Sequence, residues 1–117
     1  IGKDIPMNDA LDNLERVIQS IARDYPLSQI KLLSILPVNE GEKYKQTVYI
    51  RTNEKIREWN QAYEALASAY MQVDFVPIYD SLTDSEGQLQ STYTTDGLHL
   101  SVAGYQALSE ALKEYLF

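Results

Sequence analysis

Apolar residues along this chain recur with two different periods. Leu11, Leu14, Ile18 and Ile21 step by three and four, with Val17 beside them. That spacing predicts a helix capped by Asn8 or Asp9, and Asp24-Tyr25-Pro26 ends it, since the residue before a proline disfavours the helical region. Ile30-Lys31-Leu32-Leu33-Ser34-Ile35-Leu36 is almost continuously apolar and stops at Pro37. A short run of this kind suits a strand buried on both faces. Ile56, Trp59, Tyr63, Leu66 and Tyr70 return to helical spacing, and with the alanines at 62, 65, 67 and 69 they predict a helix over 53–71. Val73 to Tyr79 is a second buried strand, with Pro77 confined to its end or to an edge. Val102, Tyr105, Leu108, Leu112 and Leu116 line one face of a last helix, for which Ser101 is the N-cap. Residues 1–7, 38–46 and 80–95 read as loops. Thr47-Val48-Tyr49-Ile50 fits either a short strand or the lead-in to a helix.

Strands alternating with helices imply a parallel sheet with helices on its faces. The fold class is therefore α/β, a three-layer α/β/α arrangement. Two strands make a poor sheet, however, because a parallel pair buried on both faces needs further strands beside it. Residues 1–117 thus read as a single domain or as part of one. An open sheet edge favours association, so a homo-oligomer is an expectation.

The 117 residues are 44% hydrophobic and 23% charged, ordinary values for a globular protein. The formal charge of −7 argues against nucleic acid as a partner and against docking to anionic membrane by charge. The chain has no cysteine, which excludes disulfides, zinc thiolate sites and thiol catalysis and fits a cytoplasmic location. No apolar run reaches the roughly 20 residues of a transmembrane segment. The nine tyrosines suit helix-face packing.

The only histidine lies in Thr94-Thr95-Asp96-Gly97-Leu98-His99-Leu100-Ser101. Histidine takes and gives protons near neutrality, and a carboxylate three residues away can fix its tautomer. In open α/β sheets, loops after strand carboxyl ends carry the ligand site, and this turn lies among them. No metal is expected, since one histidine with scattered carboxylates at Asp80, Asp84 and Glu86 lacks paired ligand spacing. No cofactor is implied.

The block from Thr95 to Ser101, with Gly104-Tyr105 after it, resembles the last conserved block of the SGNH (GDSL-like) hydrolases, most closely the platelet-activating-factor acetylhydrolase-like members. Leu32 to Val38 and the helix and strand before the block fit the same resemblance. It implies the flavodoxin-like SGNH fold and a serine esterase or acylhydrolase acting on a small acyl ester. Asp96 matches the acid that orients the histidine, and His99 matches the general base. The family's nucleophilic serine belongs to an early Gly-Asp-Ser block, which is absent here, and Ile1-Gly2-Lys3-Asp4 lacks the asparagine of the Gly-x-Asn-Asp oxyanion block. The resemblance is thus to the C-terminal half, with an N-terminal half as the partner that supplies the nucleophile, and the chain alone is expected to be inactive. Ser34 lies in an apolar strand, Ser101 caps a helix, and Ser81, Ser85 and Ser91 lack a strained nucleophile turn. The alternative is a non-catalytic α/β binding or interaction module, a degenerate relative that has no need of the serine.

Overall fold

The computed structural model describes residues 7–116. Four helices and two strands follow in order: α1 (Met7–Asp24), β1 (Ile30–Leu33), α2 (Lys45–Val48), α3 (Asn53–Ser68), β2 (Val73–Val76) and α4 (Val102–Leu116). Single 3₁₀ turns occupy Glu42–Tyr44, Asp80–Leu82 and Ser91–Tyr93. The α/β class read from the sequence holds, and β1 and β2 pair in parallel with Ile30 opposite Val73 and Leu33 opposite Val76.

The two faces of this pair differ as strand alternation requires. Ile30, Leu32, Val73 and Phe75 pack with Leu14 and Ile18 of α1, with Leu66 and Ala67 of α3 and with Tyr70 just after it. Lys31 and Asp74, register partners on the other face, form an ion pair at 2.8 Å. Among the described residues the sheet has these two strands.

Helix boundaries depart from the periodicity in small ways. α1 begins at Met7, so Asn8 and Asp9 sit inside its first turn and do not cap it. The loop expected over 1–7 otherwise lies outside the described residues. Thr52 caps α3 by accepting the Lys55 N–H at 3.2 Å, and the helix ends at Ser68, three residues early, in tight turns that lead into β2. Ser101 is the N-cap of α4, accepting the Gly104 N–H at 3.2 Å.

Both strands are shorter than their apolar runs, for identifiable reasons. Beyond Ser34 the β1 backbone finds side chains in place of a neighbouring strand. The Ile35 N–H donates to Asn60 Oδ1 at 2.7 Å, and Asn60 Nδ2 donates to Ile35 O at 3.0 Å. Seven residues earlier on α3, Asn53 does the same for Val38, at 2.8 and 2.7 Å. Each amide imitates the two-bond exchange of a ladder partner, so the exit of β1 is fastened to a helix. Beyond Val76, Pro77 offers no N–H, and the Tyr79 N–H turns to Ser34 Oγ at 3.1 Å. Asn53 is 1% exposed, so Asn53→Ala leaves the Val38 N–H without a partner and Val38 O with the Leu89 N–H alone. We expect it to cost about 3 kcal/mol by urea unfolding, whereas the exposed Gln61→Ala should cost under about 0.5.

The second core cluster is built mainly from loops. Val38, Tyr44, Val48, Ile56 and Tyr79 pack together, with Ile35 and Leu98 against them. Ile78 is 0% exposed, and so are Leu82 and Leu89, which corrects the reading of 80–95 as simply polar. Leu89 is held at the base of the loop, its N–H donating to Val38 O at 3.1 Å. The tyrosines also divide differently from expectation: Tyr44 and Tyr79 are buried off the helix faces, while Tyr25, Tyr49 and Tyr105 are exposed. The undecided stretch at 47–50 is the end of α2 followed by a tight turn. In it Tyr49 adopts φ 56° and ψ −114°, and the Arg51 N–H closes on Val48 O at 3.1 Å. That region favours glycine, and a bulky side chain there costs about 1–3 kcal/mol.

Candidate active site

Asp96 and His99 occupy one tight turn between the 3₁₀ turn at Ser91–Tyr93 and α4. The turn is held within a few residues. Thr94 Oγ1 accepts the Gly97 N–H at 2.9 Å and donates to His99 O at 2.6 Å, and Thr94 also bridges to Leu100. Gly97 has φ +85°. A Cβ there would stand 2.5 Å from Tyr44 Cβ and 2.9 Å from Asn39 O, so only glycine fits the conformation and the space. Its carbonyl accepts the Asn39 N–H at 2.8 Å, tying the turn to the loop that leaves β1. Gly104 allows a second close approach, since a Cβ would lie 2.3 Å from Tyr93 O.

Asp96 uses both carboxylate oxygens. Oδ1 accepts the backbone N–H groups of Leu98 at 2.9 Å and His99 at 2.7 Å. Oδ2 lies 2.6 Å from His99 Nδ1. The same carboxylate therefore shapes the turn and holds the imidazole. With Nδ1–H donating to Oδ2, the neutral ring keeps its lone pair on Nε2. The histidine side chain is 73% exposed and Asp96 33%. The ring hydrogen bond of His99, followed by its backbone N–H, holds the Asp96 carboxyl well below the usual carboxylate range, against a smaller opposing effect of burial. A folded-state pKa below the unfolded value near ~3.9 means this contribution is complete above about pH 4 and is lost only as pH falls through the folded value. We expect the Asp96 carboxyl ¹³C shift to stay constant from neutrality down to about pH 3, where free aspartates have already titrated; a midpoint near the ordinary value would contradict the pairing.

The pair named from the sequence is thus brought together, and the serines are not brought to it. Ser34 is buried, with Oγ accepting the Tyr79 N–H. Ser101 Oγ donates to Thr92 O at 3.0 Å while capping α4. Among the described residues, no serine hydroxyl is hydrogen-bonded to the imidazole, and no three His, Asp or Glu side chains gather as a metal site. No helix of the described residues is long and apolar enough to cross a membrane. Sequence reasoning missed Thr94, Asn39 and Tyr44, which support the turn. Only the glycine at 97, marking a backbone that some neighbour approaches closely, pointed toward them.

The model of the GDSL-like lipase/acylhydrolase family matches residues 1–107. The chain belongs to that family. It is similar, at 73% identity over 100% of its length and a TM-score of 0.98, to a solved structure from Streptococcus pneumonia provisionally described as a platelet activating factor, of which it covers 55%. A GDSL-like lipase from Bacteroides thetaiotaomicron shares the fold at 23% identity and a TM-score of 0.71, with 95% of this chain and 52% of that one covered. A GDSL esterase/lipase of Oryza sativa subsp. japonica, WDL1, is 25% identical over 99% of this chain and 46% of its own length. The chain therefore spans about half the length of these relatives.

Proposed function

We propose that Asp96 and His99 are the acid and the general base of a serine ester hydrolase. The nucleophilic serine and its oxyanion donors then come from sequence outside residues 1–117. The observation that carries this reading is the 2.6 Å contact between His99 Nδ1 and Asp96 Oδ2 on an exposed turn. It leaves Nε2 as the basic nitrogen. Family membership and coverage of about half of each relative support the same reading.

The chemistry follows from that tautomer. His99 Nε2 takes the proton from the serine hydroxyl as its oxygen attacks the ester carbonyl. The imidazolium then returns this proton to the departing alkoxide, which leaves as the alcohol while the acyl group stays on the serine as an acyl-enzyme. Water repeats the sequence, losing its proton to Nε2, adding to the acyl carbon and restoring the serine. Asp96 stays ionised throughout, as its low proton affinity requires, and favours the charged ring. The substrate on this reading is a small acyl ester.

A fluorophosphonate probe tests the division of the site. The complete gene product should be labelled on a serine outside residues 1–117, and the 117-residue chain alone should remain unlabelled. Modification of any serine between Ser20 and Ser109 would overturn the assignment.

A further inference from the structure

Between α3 and the carboxyl end of β2 lies a cavity of about 190 Å³, and no residue of the acid–base turn lines it. Phe75, Pro77 and Tyr79 give it an apolar wall, and two opposite charges, Arg57 and Asp80, border it. Arg57 Nη1 donates to the Tyr79 hydroxyl at 3.3 Å. Burial raises the Tyr79 phenol above its ordinary value. The Arg57 guanidinium opposes that rise and the Asp80 carboxylate adds to it, so both charges act at one hydroxyl. Yet among the described residues neither of them forms an ion pair. The hydrogen bonds at Asp80 are made by its backbone oxygen, which accepts from the Thr83 N–H and hydroxyl, and its carboxylate is uncommitted. Two further side chains in the wall are nine-tenths buried and retain a free donor. Ser34, 5% exposed, accepts the Tyr79 N–H, while its own hydroxyl proton meets no acceptor among the described residues. Asn60, 9% exposed, commits one Nδ2 proton to Ile35 O and has a second.

We propose that this cavity is a binding site for a small zwitterion with an apolar body, the chemistry of an apolar α-amino acid. The ligand carboxylate meets Arg57, whose planar fork matches it, and the uncommitted donors of Ser34 and Asn60. The ligand ammonium meets Asp80, and the hydrocarbon lies on Phe75 and Pro77. A simple carboxylate would bring a like charge to Asp80, and a simple amine would bring one to Arg57. A ligand of both signs satisfies both. Apolar walls with a few polar groups that fix orientation are the usual make-up of a small-molecule site. An apolar cavity of about 150 Å³ admits benzene, so about 190 Å³ suits roughly seven to nine non-hydrogen atoms, the size of valine or leucine. Binding here involves no ester chemistry, and the site stands apart from the hydrolase reading.

Isothermal titration calorimetry on the complete gene product tests this with three probes of one shape. They are L-leucine, 4-methylpentanoate, which lacks the ammonium, and 3-methylbutylamine, which lacks the carboxylate. Leucine should bind at least about tenfold more tightly than either analogue. Arg57→Gln should weaken leucine about tenfold or more. Asp80→Asn, which removes no hydrogen bond of the fold, should weaken leucine while tightening 4-methylpentanoate, because the like charge is gone. Opposite responses of two probes to one substitution are not produced by a general loss of structure. Thermal midpoints equal to wild type in both variants confirm that they are folded. Three results each overturn the proposal: no binding of leucine up to about 10 mM, equal binding of leucine and either analogue, or wild-type affinity for leucine in Asp80→Asn.

Discussion

Replacing His99 with alanine in the complete gene product is expected to lower kcat for ester hydrolysis by about 10⁴-fold or more, with little change in stability. The size of the effect follows from the role. Without the imidazole no group removes the serine proton or returns it to the leaving alkoxide, and members of such a triad act as a unit. The small structural effect follows from exposure. The side chain is 73% exposed, while the turn is held by the Asp96 carboxylate and the Thr94 hydroxyl through backbone groups that alanine retains. Thermal unfolding should therefore move by the equivalent of less than about 1 kcal/mol. Hydrolysis at wild-type rate in the alanine variant would remove His99 from the mechanism. Asp96→Asn should lose activity as well, because the amide no longer enforces the Nδ1–H tautomer.

Gly97→Ala should produce a large stability loss for a single added methyl. The new Cβ would meet Tyr44 Cβ at 2.5 Å and a backbone oxygen at 2.9 Å, and neither is the far end of a flexible side chain. The alanine must also accept φ +85°. Strain and overpacking together cost about 3 kcal/mol or more, a large share of a typical domain's stability. Relaxation would pull Gly97 O away from the Asn39 N–H and move His99 with the turn, so activity should fall along with the urea midpoint. Gly87→Ala is a useful control. It also has a positive φ but has nothing within 4 Å of the added Cβ, so it should cost only the conformational part, about 1 kcal/mol. Equal losses at the two glycines would mean that the contact with Tyr44 is unimportant.

Much of this architecture can be read before any coordinates. Leu11, Leu14, Ile18 and Ile21 specify α1, the Ile56-to-Tyr70 stripe specifies α3, and the two apolar runs specify a parallel pair. These signals are legible because each element buries one face against its neighbours, and that burial imposes a period. The acid–base pair is legible for a different reason: both members and their glycine lie within four residues. What periodicity cannot show is where a backbone finds its partners. Ile35 and Leu36 look like strand, yet Asn60 replaces the missing ladder there and Asn53 does the same for Val38 in the loop beyond, and nothing in the spacing of two asparagines announces that role. Leu82 and Leu89 are hidden for the same reason. Isolated apolar residues in a polar loop carry no period, although both are fully buried.

The placement of Asp96 and His99 on a single turn has a consequence for how an enzyme of this kind is assembled. Were acid and base on separate elements, docking the nucleophile's half would have to align three groups at once. Here the carboxylate and the ring are aligned by hydrogen bonds spanning three residues, before any distant part of the chain arrives. A serine brought up by other elements has one nitrogen to meet, and its approach is a problem of a single distance and a single angle.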